Sequence, residues 1–217
     1  MTKPTSDRLD AYFVHLAAVS PPALRVWTAA NETEFCAAVE DAVHATLFQI
    51  EAGARQYAVL EERGLSLLLA QLLAAGSLSA VAEGYHNGHV DVTVSHPAGL
   101  TCAMLGECKL YDGFRHHCEG CEQLLKRYTS GRSPRAFCLD FINKPGMYEK
   151  LKKLREEFDA KRPLDQLDNA TDHRIKGAFV TAHKHFTAAV VEVLHLGCNV
   201  YHPEAVPPGP QEQGTDG

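Results

Sequence analysis

At Gly76 the hydrophobic period of this chain changes, and that change limits the possible folds more than any other feature. Upstream, Leu65, Leu68, Leu69, Leu72 and Leu73 form the apolar stripe of a helix, read here as core. Downstream, SLSAVAEGY, HVDVTVS and TCAMLGECKL follow one another as strand-length apolar segments. HNG between the first two contains Asn87-Gly88, a dipeptide that tolerates the positive φ angles of a tight hairpin. HPAG at His96–Gly99 marks a second turn. A helix running into a three-strand meander buries both apolar faces only when one lies on the other.

The flanking segments fit the same plan. Ser6 to Val19 reads as a helix broken by SPP, and NETEF as a capping box, with Asn31 as cap and Glu34 reaching back. Phe35, Val39, Val43, Leu47 and Ile50 then recur at helical spacing as far as a break at Gly53. The next helix is expected from Arg55 to Ala75. After the meander come a helix from His116 ending near Gly131, a buried strand RAFCLDFI and a charged helix GMYEKLKKLREEFDAK. Two more strands, GAFVTAHK and AAVVEVLHLGCNV, complete the order, although the second also suits a helix. The expected fold is α/β: a mixed sheet flanked by helices, with an αβββαβ core over residues 55–201, a helical N-terminal extension over 1–54 and a disordered Pro/Gly-rich tail over 202–217.

Composition narrows the function classes. The N-terminus lacks the apolar segment of a signal peptide and no run is long enough to span a bilayer, so a cytoplasmic protein is expected. Seven cysteines without a secretory signal suit reduced thiols. A net charge of −6 argues against non-specific coating of nucleic acid. Yet residues 107–162 hold thirteen Lys/Arg against nine Asp/Glu, so a local basic face is available to phosphate.

The third strand carries two charges, Glu107 and Lys109. Residues two apart on a strand share a face, whereas Cys108 points the other way, into the core. A hairpin register brings Asp91 of the preceding strand to the same place. Two adjacent carboxylates repel unless a proton or a cation lies between them. Mg²⁺, with Mn²⁺ as an alternative ion, suits such hard oxygens, and the Cys108 carbonyl offers one more. A neighbouring lysine orients or deprotonates water and stabilises charge growing on a phosphate. The triplet Asp159-Ala160-Lys161 has the same composition, but in a helix residues two apart face nearly opposite ways.

The pattern D-x15-E-C-K resembles the PD-(D/E)XK nuclease superfamily, which has the restriction-endonuclease-like fold. CEQLLKRYTSGRSPRAFCLDFI likewise resembles the glutamine–tyrosine helix that follows E-x-K in several branches, and the similarity spans about Arg55 to Phe158. It implies Asp91 and Glu107 as metal ligands, Lys109 as the catalytic lysine, Gln123 and Tyr128 as active-site supports, and Glu62 as a further acidic ligand on the preceding helix. Val90 stands where the family's proline would be. Gln123 and Tyr128 are one residue further apart than the commonest spacing, which on an α-helix swings the tyrosine about 140° away. The implied activity is Mg²⁺-dependent endonuclease cleavage of DNA, as in effectors or restriction components of bacterial anti-phage defence. A homodimer, or a complex with a protein partner or activating ligand, is expected. Cleavage of RNA, or a non-catalytic scaffold on the same fold, are the alternatives.

Other signals are weaker. Arg115, His116 and His117 follow the charged strand and read as a solvated helix start more readily than as phosphate contacts. Arg132 and Arg135 flank a loop where they would meet a nucleic-acid backbone. Cys118 and Cys121 have the spacing of half a zinc site, but Cys138, Cys198, His183 and His185 complete it only through folding, so the pair is read as packing.

Overall fold

The computed structural model describes residues 6–85, 88–97 and 101–204. Asn87 of the first expected turn, the end of the second and the tail beyond Glu204 lie outside them. Three helices come first: α1 (Ser6–Val19), α2 (Pro21–Thr28) and α3 (Glu32–Ala52). Asn31 caps α3 by accepting from the Glu34 N–H at 3.0 Å. Glu34 reaches back to the Ala30 N–H, one residue before the cap, and accepts from the cap's side-chain amide rather than from its backbone N–H. The expected helix from Arg55 to Ala75 is two, a single turn α4 (Ala54–Tyr57) and α5 (Glu62–Ala75), so Glu62 opens a helix instead of lying within one.

Strands β1 (Ser79–Tyr85), β2 (His89–Ser95) and β3 (Ala103–Leu110) form the antiparallel meander. Helix α6 (Phe114–Gln123) runs into a π-helical turn over Leu124–Tyr128, and β4 (Arg135–Ile142) returns parallel to β3. After α7 (Met147–Lys161) come the short β5 (Thr171–Asp172), β6 (Phe179–Lys184) and β7 (Val190–Asn199). The last segment is a strand throughout, parallel to β4 and antiparallel to β6. The sheet order is β1-β2-β3-β4-β7-β6-β5. The β3–α6–β4 crossover, and the return of β7 beside β4 after α7, β5 and β6, make the centre parallel and the flanks antiparallel, which is the expected mixed sheet.

Alternation along the central strands supplies two cores. Val92, Val94, Met104, Cys108, Phe137, Leu139, Leu194 and Leu196 face α3 and α5, with Leu16 and Val26 of the first two helices in the same buried cluster. Leu105, Ala136, Cys138, Val191 and Val193 face α6, the π turn and α7. Strand β4 is buried on both sides, which is why its sequence shows an almost unbroken apolar run. Gly106 is dictated by packing: a Cβ there would lie 2.0 Å from the ring of Phe137, itself fully buried. Gly64 differs, since a Cβ on it meets Leu60 only at ordinary contact distance, 3.5 Å.

Urea denaturation checks this contrast. Gly106→Ala is expected to destabilise by about 1–3 kcal/mol through overpacking. Gly64→Ala is expected to stabilise by roughly 0.5–1 kcal/mol through helix propensity.

Candidate active site

Strands β2 and β3 part company before β3 ends. Their pairing stops at Val92↔Gly106, whereas β3 stays paired with β4 out to Leu110. Beyond Gly106 the β3 edge that faced β2 therefore needs other partners for its backbone. Side chains supply them: Asp91 Oδ2 accepts from the Cys108 N–H at 2.8 Å, and Glu62 Oε2 from the Leu110 N–H at 2.8 Å. A strand residue turns its N–H and C=O to the same edge, so the Cys108 carbonyl points toward the Asp91 side. The break before Glu62 is what allows its carboxylate to reach a strand.

Glu107 and Lys109 point toward α6, which passes so close that a Cβ on Gly120 would stand 3.3 Å from Glu107 Cγ and 3.1 Å from Lys109 Cε. The Lys109 ammonium donates to Glu107 Oε1 at 2.8 Å and lies 3.5 Å from Glu62 Oε1. Glu107 is 3% exposed, and its Oε2 is buried without a hydrogen-bond partner among the described residues. Half-buried Asp91 also lines a small cavity of about 190 Å³ with Arg63, Ser66 and Glu83.

These positions set the protonation. Burial first, and then the Asp91 charge, push the Glu107 carboxyl up to about 7 against the pull of Lys109. Burial also raises Asp91, with the Cys108 N–H opposing it. For Lys109, burial favours the neutral amine, but Glu107, Glu62 and Asp91 outweigh it and hold the ammonium protonated. Two carboxylates that resist ionising together, one with an orphaned buried oxygen, suit a hard divalent cation. Asp91, Glu107 and the Cys108 carbonyl are the oxygens that would hold it, with Glu62 alongside.

Tyr128 corrects an expectation. The offset of five from Gln123 runs through the π turn, closed by the Thr129 N–H donating to the Leu124 carbonyl at 3.0 Å. A π turn inserts one residue into the helix, so an offset of five through it turns about as far as four do in an α-helix, and the tyrosine is not swung away. Burial raises the Tyr128 hydroxyl pKa, and the charges of Glu107 and Asp91 raise it further, so the ring lies within their field. Gln123 ends α6 with its Oε1 buried and unpartnered among the described residues.

Other expected contacts resolve differently. His117 is fully buried, not solvated, and only its neighbour His116 stays near the strand end, with Nδ1 3.1 Å from the Leu110 carbonyl. Arg135 is committed elsewhere, bonded to buried Glu40 at 2.6 Å and to Glu192, so it is withdrawn as a nucleic-acid contact. Arg132 lines a cavity of about 400 Å³ with Tyr128, Thr101, Ser130 and Ser133. Sequence reading passed over Ser66 and Gly120. Ser66 was legible as the residue one turn after Glu62, whereas Gly120 shows its role only when α6 is laid on β3.

No family model, curated protein or solved structure matches this chain. Among the described residues no helix is long and apolar enough to cross a membrane.

The raised Glu107 pKa has a definite sign. A carboxyl lifted from 4.5 to about 7 stabilises the fold fully below pH 4.5 and loses that contribution as pH rises through 7. Glu107→Gln is therefore expected to gain on wild type by on the order of 3 kcal/mol between pH 5 and pH 8 in metal-free buffer. Denaturant melts at the two pH values measure it, and parallel pH profiles would contradict the assigned protonation.

Proposed function

We propose that this chain is a divalent-metal-dependent nuclease that hydrolyses phosphodiester bonds of DNA, built on a restriction-endonuclease-like core. The observation that carries the reading is the β2–β3 fork, where Asp91, Glu107 and Lys109 meet at the strand edge left open beyond Gly106. A structural ion pair explains Lys109 with Glu107 Oε1, but not Oε2, which is buried without a partner among the described residues while the Asp91 charge acts on the same carboxyl. The meander, the parallel return of β4 and the helix across β3 are consistent with the fold that the D-x15-E-x-K pattern implies.

Bound Mg²⁺ supplies Lewis acidity toward a phosphate oxygen and lowers the pKa of coordinated water. The residues supply the frame for that chemistry. Asp91 is positioned by the Cys108 N–H and Glu107 by the Lys109 ammonium, so neither carboxylate must reorganise. Held protonated, Lys109 acts not as a base but as a positive charge against the phosphate as the bond to the leaving oxygen breaks. The Tyr128 hydroxyl, within the field of Glu107 and Asp91, and Gln123, whose Oε1 is buried without a partner among the described residues, are the polar groups that the π turn and the end of α6 supply. Arg132 with the hydroxyls of its cavity suits contact with a strand backbone.

Cleavage of plasmid, single-stranded DNA and RNA in Mg²⁺ tests the reading. Lys109→Ala and Asp91→Ala are each expected to lose about 10²-fold or more of the DNA cleavage rate. Undiminished cleavage in both would reject the site, and selective cleavage of RNA would reassign the substrate. Calorimetric titration with Mg²⁺ gives a second readout. Wild type is expected to bind the ion and Asp91→Ala to bind it more weakly, and a wild type that neither binds Mg²⁺ nor cleaves would reject the proposal.

A further inference from the structure

Behind the charged strand lies a second convergence of ligating atoms, none of it on the surface. His117 and Cys121 stand one turn apart on α6, so they share a face. Below them Cys138 of β4 and His195 of β7 are directly paired neighbours in the parallel register. All four are 0% exposed. Ligand atoms of His117, Cys121 and Cys138 lie within 4.8 Å of one another. His195 Nδ1 is 2.7 Å from His117 Nε2 and 3.9 Å from Cys121 Sγ.

The hydrogen bonds outside the cluster fix which ring nitrogens face inward. The Leu164 carbonyl can only accept, so His183 Nδ1, 3.0 Å away, carries the proton. His183 Nε2 then accepts from the Thr181 hydroxyl at 2.6 Å, and Thr181 accepts from His195 Nε2–H at 2.7 Å. That leaves His195 Nδ1 with a lone pair aimed into the cluster. On the other side Asp140 Oδ2 accepts from His117 Nδ1–H at 2.8 Å, which makes Nε2 the ligating nitrogen.

We propose that His117 Nε2, Cys121 Sγ, Cys138 Sγ and His195 Nδ1 form a structural zinc site. Two thiolates and two imidazoles are a soft set that selects zinc over the hard ions suited to Asp91 and Glu107. In a tetrahedral site such atoms stand about 3.3–3.8 Å apart. His195 Nδ1 and Cys121 Sγ, at 3.9 Å, already match, the two imidazole nitrogens at 2.7 Å separate as the proton between them is replaced, and Cys138 Sγ, now 3.8 Å from His117 Nδ1, shifts toward Nε2. Both imidazoles already have the outer partners that orient metal-bound histidines, a carboxylate on one and a hydroxyl on the other. Zinc replaces the proton shared by His117 and His195 and the two thiol protons, so three protons leave as it binds. The Phe179 ring stacks on His195 with centroids 4.3 Å apart, and Phe158 closes another side, which keeps the site dry. With no ligand exposed, the ion enters as the chain folds. Cys118, half-exposed, takes no part despite its spacing from Cys121.

Metal analysis of the full chain purified without chelator tests this. Wild type is expected to hold about one zinc per chain, and cobalt substitution to give the ligand-field and thiolate charge-transfer bands of a tetrahedral two-sulfur site. Cys138→Ser and His195→Gln are expected to lose the ion. Cys198→Ser, which alters a buried cysteine outside the cluster, and Asp91→Asn are expected to keep it. Because ligand variants can fail to fold, wild type is also refolded with zinc or with chelator, and zinc is expected to raise Tm. A folded wild type that takes up no stoichiometric zinc or cobalt by either route overturns the proposal. So does a Cys121–Cys138 disulfide, or loss of the ion in Asp91→Asn, which would place the metal at the acidic pocket.

Discussion

Strand β3 continues along β4 after β2 has left it, and the two backbone N–H groups this would strand are bonded by the carboxylates of Asp91 and Glu62. A backbone donor without a partner in a half-buried place costs about as much as a lost hydrogen bond, so the fork is stable only because acidic side chains fill it. The same substitution gathers negative charge at one point. Asp91 and Glu62 are held there by the backbone, and Glu107 points in from the strand between them. Lys109 balances part of that charge, and burial, joined at Glu107 by the Asp91 charge, raises the carboxyl pKa values. Structural need and chemical potential thus arise from one feature, a sheet that opens.

The α6 side of the sheet is polar to a degree uncommon in a core. Asp140, His117, His195 and His183 are all buried, and they are tolerated because nearly every atom has a directed partner in one continuous chain. The opposite face follows the ordinary rule. There aliphatic and aromatic side chains from α3 and α5 cover the sheet, and the main polar intrusion, Glu40, is matched by Arg135 and His173.

Periodicity made much of this legible. The helix-to-strand change at Gly76, the Asn31 cap, the unbroken apolar run of β4 and the shared face of Glu107 and Lys109 are local properties, and local properties are written in a sequence. What stayed hidden depended on partners distant in the chain. Arg135 reads as a free loop arginine until Glu40, 95 residues away, is set against it. His117 reads as a solvated helix start until α6 lies on β4, because its burial is decided by Asp140 and His195. Tyr128 was hidden for another reason. The sequence counts residues, but a π turn changes how many residues make a turn, and no composition signal marks where that happens.

Gly120 joins the two chemical centres. Its missing Cβ lets α6 approach until one position faces Lys109 Cε at 3.1 Å, Cys138 Sγ at 3.2 Å and Glu107 Cγ at 3.3 Å. The wall of the acidic pocket is therefore also the wall of the His/Cys cluster. A methyl group at that position would press on all three side chains more tightly than ordinary contact, so neighbours in both sites would have to give by a few tenths of an ångström. The same close packing explains how Lys109, on a flexible stem, keeps one orientation: its methylene groups are gripped by the helix while its ammonium is gripped by Glu107. Fixing a long side chain in this way removes, within the fold itself, most of the rotamer entropy that would otherwise oppose a well-placed charge.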